Sequence, residues 1–408
     1  MLVAEPAPSP KPRQRRSLSL RALILLVLAV GGGVGWWGYR VRVQRQAVEA
    51  ITKAGGRAVY DYQMKGRHFD LSRKPTAPAW LVDRVGVDAV ADVASVDIVG
   101  PNGNDAILSQ VGRLSGLKHL TVNSGTATDV GAQELRMLTE MEELDLTFCR
   151  MTGAALRCTR GMSRLRKLDH YGLSLVDDDL APLAGLTSLE WVQISTDGLT
   201  DAGLVHLAGL RKLKLLSIRG KRVTSAGLEH LKGLRALETL NAYGTGIASL
   251  EPLRGSSTIF DFMLKDTPID DAGLAPIAGF RGLRALDLGN TKISDRGASY
   301  LEGLNDIGHL NLEGTAITDA ATRHLASMSK MQDLRLSRTA ITDESLAHLN
   351  GMPDLRLLWL SNTSVSDAGL QRLTGITSCI QIDLTWTPVT AAGAAALTAR
   401  YPKMRVIR

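Results

Sequence analysis

The sequence predicts an α/β solenoid: one elongated domain assembled from copies of a short unit. Two observations predict it. The first is a fixed step. Back from Leu355 in steps of 24 stand Met331, Ile307, Leu283 and Ile259. One step of 22 reaches Leu237, and steps of 24 then give Leu213, Leu189, Leu165, Met141, Leu117 and Val93. Forward come Cys379 and, 25 residues on, Met404, so 13 repeats and a terminal strand fill residues 93–408. The second observation is a change of period inside each unit, from alternation to a spacing of three. A unit this short cannot bury its apolar face alone and must stack on its neighbours.

Leu355–Ile376, LRLLWLSNTSVSDAGLQRLTGI, shows the unit clearly. Leu358 and Leu360 alternate with Leu357, Trp359 and Ser361, as in a strand with one buried face. Val365, Leu370, Leu373 and Ile376 then follow the spacing of a short helix, and Ser366-Asp367 supplies a capping oxygen and an acid at its start. Asp129, Asp177, Asp201, Asp271, Asp295, Asp319, Asp343 and Asp367 hold that same place, so they read as helix-start residues and not as catalytic carboxylates.

The pattern L-x-x-L-x-L-x-x-T-x-I/V-T/S-D-x-G-L-x-x-L-x-x-L is clearest at 283–304, 307–328, 331–352 and 355–376. It resembles the leucine-rich repeat family over roughly three quarters of the chain. Within that family it is similar to ribonuclease-inhibitor-like proteins and the repeat arms of F-box proteins. The resemblance implies a horseshoe with a parallel sheet on its concave side, short helices outside, and a role in binding other proteins. Thr245, Thr267, Thr291, Thr315, Thr339, Thr363 and Thr387 stand where many members carry Asn, with Cys149 there in an earlier repeat. A hydroxyl at that place is expected to bond a neighbouring turn's backbone.

Ahead of the repeats, residues 1–20 are Pro-rich and basic and are expected to be disordered. Ala22–Tyr39 has no charge and is long enough to span a bilayer core, with Trp36, Trp37 and Tyr39 where an aromatic belt would lie. Residues 21–40 are therefore expected to be an uncleaved transmembrane anchor; a cleaved signal segment, ending near Gly31-Gly32-Gly33, is the alternative. Five basic residues precede the segment (Lys11, Arg13, Arg15, Arg16, Arg21) and three follow it (Arg40, Arg42, Arg45). That bias puts the N-terminus in the cytoplasm and the repeats on the exoplasmic or periplasmic side. Residues 1–58 carry ten Lys/Arg and two Asp/Glu, a net +8 against +7 for the whole chain, which leaves −1 for the remainder. A near-neutral repeat domain offers no phosphate-neutralising face, so nucleic acid is not an expected partner.

Residues 41–92 are read as a juxtamembrane helix and N-terminal cap: a helix over Val43–Lys53 broken by Gly55-Gly56, a strand at Arg57–Gln63, and a helix at Pro78–Val85 with Trp80 and Leu81 available for burial. Two repeats depart from pattern. Leu237–Thr258 is short and carries Pro252, and Phe260, Phe262 and Phe280 are expected to fill the space it leaves. His170 holds an inward place that elsewhere is Leu or Ile and reads as a hydrogen-bonded core residue. Cys149 and Cys158 share one repeat and could pair if oxidised; Cys379 reads as a small core residue. His206, His230, His324 and His348 recur on the outer surface with no close pair, and no metal or cofactor is expected.

The chain has no phosphate loop, no G-x-S-x-G, no H-E-x-x-H and no C-x-x-C, so no enzyme chemistry is expected. Its informative surface is the concave face. Trp191 and Leu215 fall at outward strand places, with Tyr171 and Tyr243 toward the loop. Glu143, Asp145, Asp169 and Lys167 would rim them, and Leu357, Trp359 and Trp386 make a second candidate patch. Large aromatics among charges suit a protein-binding surface. The sequence is thus read as a membrane-anchored binding module whose partner is a protein or a surface polymer. The alternatives are an F-box-like ubiquitin ligase arm, which would need an F-box where the hydrophobic segment stands, and a soluble secreted inhibitor or effector if that segment is cleaved.

Overall fold

The computed structural model describes residues 20–66, 68–123, 125–171 and 174–408, without the side chains of residues 20–24, 26 and 171. The tail assigned to residues 1–20 lies outside these residues but for the backbone of Leu20. Among the described residues one sheet of 15 strands follows chain order from end to end. Its first strand, Arg57–Tyr60, is antiparallel to Val93–Val99, and each later strand joins its predecessor in parallel. Alternation decides what the sheet buries. Leu286, Leu310, Leu334 and Leu358 stand opposite one another on successive strands and are all buried, each contributing on the order of 2 kcal/mol. The step of 22 is real in space: Thr239 lies opposite Asp261. The terminal strand, however, keeps the step of 24. Gln381 faces Arg405 and Val406 takes the inward place beside Ile382, so Met404 sits one place off the slot assigned to it.

The seven strands from Thr239–Asn241 to Gln381–Asp383 each end in a turn closed by a threonine. Thr291 donates to the Leu288 carbonyl at 2.6 Å and Thr363 to Leu360 at 2.7 Å. The bond thus stays inside its own turn, contrary to the expectation that it would reach a neighbouring turn's backbone. Cys149 does reach one: its Sγ lies 3.3 Å from the Val122 carbonyl. The tight turn drives the residue before each threonine into left-handed backbone: Asp266, Asn290, Gly314, Arg338, Asn362 and Trp386 have φ between 55° and 65°. Asp, Asn and Gly accept this conformation readily; Arg338 and Trp386 hold it at a cost.

The outer elements are short α-helices toward the C-terminus (Asp295–Ser299, Asp319–Leu325, Asp343–His348, Asp367–Arg372) and tighter 3₁₀ turns in the middle repeats, such as Asp177–Gly185 and Asp201–Leu207. Their first-turn aspartates do more than start helices. Asp343 accepts both the backbone N–H and the hydroxyl of Ser366 in the next repeat, at 2.6 Å each. Asp367 does the same for Thr390 at 2.8 and 2.6 Å, and those bonds hold its carboxyl below the usual range. The aspartate also explains the D-x-G spacing: a Cβ on Gly369 would lie 2.3 Å from Asp343 Oδ1. Where Ser345 replaces that glycine, its hydroxyl donates to Asp319 at 2.5 Å instead.

Helix α1, Leu20–Lys53, joins the segment read as an anchor to the cap without a break. Its two halves differ. Ala47 and Ile51 are fully buried in the repeat core, whereas Leu25, Val27, Leu28, Val30 and Val34 are all exposed. Among the described residues no helix is long and apolar enough to cross a membrane. Of the three exposed aromatics two also touch the cap: Trp37 Nε1 donates to the Ala89 carbonyl at 3.3 Å, and the Arg40 guanidinium lies over Trp36 while pairing with Asp92 at 2.7 Å. In the cap, Gln44 donates to the Ala91 carbonyl at 2.8 Å and Tyr60 to Asp88 at 2.9 Å. Burial and that carboxylate push the Tyr60 phenol well above its usual range. The second cap helix, Ala79–Val85, buries neither of its candidates: Trp80 is 68% exposed and Leu81 only half-buried.

Over the short repeat, Phe262 and Phe280 pack edge to face in the core at 5.1 Å, but Phe260 stays half-buried beside Arg284. They leave an open depression of about 880 Å³ between Leu231, Leu234 and Ile259 on the convex side. The three cysteines are buried. Of the outer histidines, His324 lies 3.2 Å from Glu302 and His348 2.9 Å from the Thr322 hydroxyl.

Candidate functional site on the concave face

Stacked repeats turn equivalent outward residues into rows. Glu143, Lys167, Trp191, Leu215 and Thr239 form one row in consecutive register; Asp145, Asp169, Gln193 and Ser217 form the next. Trp191 and Leu215 therefore stand directly opposite each other, as the repeat step predicts.

Around Trp191 three predicted residues do meet. The Lys167 ammonium lies 5.4 Å from the Trp191 ring centre and 2.8 Å from Asp169 Oδ2. Yet the cluster is incomplete: Trp191 Nε1 and Asp169 Oδ1 are both buried and neither has a hydrogen-bond partner. Beneath them His170 is fully buried, with both ring nitrogens unpartnered, so it is not the hydrogen-bonded core histidine that was expected. Burial pulls its pKa down to about 4, opposed by the charge of Asp129, so the ring is neutral near pH 7.

Other predicted members stand apart. Asp145 turns to its own strand end, accepting the Thr147 N–H at 2.9 Å and the Thr147 hydroxyl. A Glu143 carboxylate oxygen lies 3.8 Å from His119 Nδ1. Tyr243 belongs to a separate group, its ring under Arg219 at 4.9 Å, and the bond it shares with Asp266 pushes its phenol up. The Tyr171 side chain lies outside the described residues.

The second candidate patch also divides. Trp359 Nε1 donates to Asp333 Oδ1 at 2.9 Å, and Arg335, 5.6 Å from the Trp359 ring centre, pairs with Asp333 at 2.9 Å. Leu357 is half-buried on the same strand. Trp386 is 83% exposed in the turn beyond.

Two features escaped the sequence reading. Phe148 is exposed at φ 57°, the counterpart of Trp386 near the other end. Aromatics in slots that elsewhere hold Asn, Asp or Gly are the signal that could have found them. Asp261 is the other: its Oδ1 is buried without a partner, and burial pushes the carboxyl up. Among the described residues, the side chains with an unpartnered buried polar atom are Asp169, Trp191 and Asp261, on this face, and His170 directly beneath it. No group of three or more His, Cys, Asp or Glu among the described residues could hold a metal ion.

The chain can now be compared with known proteins. The Leucine Rich repeat family profile matches residues 283–301, one repeat of the array. No curated protein sequence matches. Among solved structures, an internalin of Listeria monocytogenes is 22% identical with a TM-score of 0.58, the match covering 78% of this chain and 85% of that one. A leucine-rich repeat protein of Leptospira interrogans is 16% identical with a TM-score of 0.56, over 84% and 95% of the two chains. At these identities the likeness is one of fold. The chain is a leucine-rich repeat solenoid, with its parallel sheet on the concave side and short helices outside.

Proposed function

We propose that the chain is a membrane-anchored binding module that holds a protein partner on its concave face, centred on Trp191. One observation carries the reading: on adjacent strands of that face an indole N–H and a carboxylate oxygen each lack a hydrogen-bond partner. Each unpaired buried group costs about 1–3 kcal/mol, and a partner that supplies an acceptor and a donor there recovers it. Leucine-rich repeat proteins generally bind other proteins, which agrees with this assignment. The anchor rests on residues 21–40, on the exposed apolar side chains of the first half of α1, and on the excess of basic residues ahead of them, which favours repeats on the exoplasmic or periplasmic side.

The site is tested with full-length protein extracted from membranes and crosslinked to its partner. Trp191→Ala should weaken capture by about 2 kcal/mol or more with little change in melting temperature, and the convex control Arg372→Ala should change neither. Unchanged capture by Trp191→Ala would move the site elsewhere on the face. For the anchor, protease added outside intact cells stripped of their outer layer should digest the repeats. A soluble repeat domain with a new N-terminus near Gly31–Gly35 would make the protein a secreted one.

A further inference from the structure

A second place on the concave face is built for a different guest. Ala285 stands between Asp261 and His309 in one row of the sheet, in register with both. Its small side chain leaves a gap two strand spacings wide, roughly 10 Å between the outer backbones. The gap opens as a depression of about 420 Å³, with Ala285 and, in the next row, Met263 as apolar lining and Asp287 and Asn311 following Met263 in that row. Asp261 Oδ1 is buried without a hydrogen-bond partner. Asp287 accepts the Gly289 N–H at 2.9 Å, and burial keeps its carboxyl above the usual range. Of the cations that act on these two carboxylates, Arg335 is bound to Asp333 at 2.9 Å, Lys265 acts on Asp287 through space, and His309, across the gap, acts in the same way on Asp261. The depression thus has an apolar wall, an unused carboxylate oxygen, and more negative than positive charge free to meet a guest.

We infer that this depression takes one lysine side chain of a protein partner, its methylene stem against Met263 and Ala285 and its ammonium donating to the Asp261 and Asp287 carboxylates. That the lysine belongs to a protein rests on the concave-face reading above; the cation site itself does not. Lysine suits it better than arginine. The two carboxylates stand on different strands and in different rows, so they present separated acceptors to a compact three-donor head and no parallel pair for a guanidinium fork. A stem of four methylenes covers apolar wall while its head reaches the charge.

The test is calorimetric titration of the full chain in detergent at low salt. The probe is a capped pentapeptide with one lysine among alanines; the controls carry norleucine, acetyl-lysine or arginine at that place. The lysine peptide should bind saturably and weaken as salt rises, and the norleucine and acetyl-lysine peptides should not bind. Asp261→Asn, nearly the same shape, should weaken the lysine peptide about tenfold or more at an unchanged melting temperature. Ala285→Leu should abolish binding by filling the gap. If Ala285→Leu fails to fold, Asp261→Asn and the acetyl-lysine peptide decide. Equal binding of lysine and norleucine, undiminished binding by Asp261→Asn, or tighter binding of arginine would each overturn the assignment. Trp191→Ala separates the two readings. Lysine binding that survives it while partner capture is lost supports both. Lysine binding with no partner captured by the parent chain leaves the cation site standing and removes the protein-binding reading.

Discussion

Two tryptophan clusters on one sheet are built from the same three kinds of residue and end in different states. At Trp359, the carboxylate of Asp333 takes both the indole N–H and the Arg335 guanidinium, and every buried polar atom is used. At Trp191, Lys167 holds Asp169 in the same way, but the indole N–H and the second carboxylate oxygen meet nothing. In each, the cation lies in register with the tryptophan of the next strand. What differs is order along the strand: the acid precedes the cation in Asp333-Leu334-Arg335 and follows it in Lys167-Leu168-Asp169. The layer below differs too, since the place under the closed cluster is Leu336 and under the open one His170. A closed cluster is a piece of structure. An open one, over a core histidine with no partner, gives up stability at one place, as sites that meet a ligand commonly do.

The largest effect that would sharpen this contrast is pH-dependent. Folding lowers the His170 pKa from 6.5 to about 4, so between those values the unfolded chain binds more protons than the folded one. Stability from this group is complete above pH 6.5 and falls as pH drops toward 4, by about 3 kcal/mol in all. His170→Leu should flatten that slope and raise the melting temperature at every pH. Urea melts at pH 7, 5.5 and 4.5 check it, and a slope that survives the substitution would place its origin in other groups.

Next comes removal of each acid. Asp333→Ala strands an indole N–H and a guanidinium and should cost about 2 kcal/mol, whereas Asp169→Ala strands only the Lys167 ammonium and should cost about 1 kcal/mol. Equal losses in chemical denaturation would erase the distinction between the clusters. The smallest effect is the most direct. Lys167→Asp combined with Asp169→Lys reverses the order of acid and cation and sets a carboxylate in register with Trp191. The indole should then find its acceptor, stability should rise by about 1 kcal/mol, and partner capture should fall. A variant that gains stability and still captures its partner would show that the unpaired atoms are not what the partner meets.

Much of the fold is legible because one periodicity fixes it. A fixed step with alternating Leu358 and Leu360 gives strand, face and register at once, and the same arithmetic puts Leu312 in the core, where it is fully buried. The step also places Trp191 opposite Leu215. Which polar atoms are satisfied is a different kind of information, since it depends on the order of acid and cation within a strand and on side-chain reach across to the next. Hence Trp191 and Trp359 look alike in the sequence and differ in space. Asp261 escaped the sequence reading because nothing local says that Ala285 beside it leaves a hole. The threonine turns went astray for a related reason: a hydroxyl three residues after a carbonyl closes its own turn before it can reach a neighbour.

The aspartates that tie each outer helix to the next have a consequence for how the array comes apart. In a linear stack, cooperativity is carried by the joints between adjacent units. The joint is bonded at nine places among the described residues, from Asp105–Thr128 to Asp367–Thr390. It is absent where Gly153 holds the aspartate's place, and in the region of the short repeat Ser225 and Ser249 stand in for the acid. These gaps part the stack into three runs of strongly coupled units, the longest at the C-terminal end. Under load or mild denaturant, such a chain yields run by run at its weaker seams, the one at Gly153 and the one where only the Ser225 hydroxyl accepts the Ala248 and Ser249 N–H, and the last run outlives the others. The Trp191 cluster belongs to the middle run, which has a gap on either side. The part of the face with unpaired groups is thereby carried on the segment least braced by its neighbours.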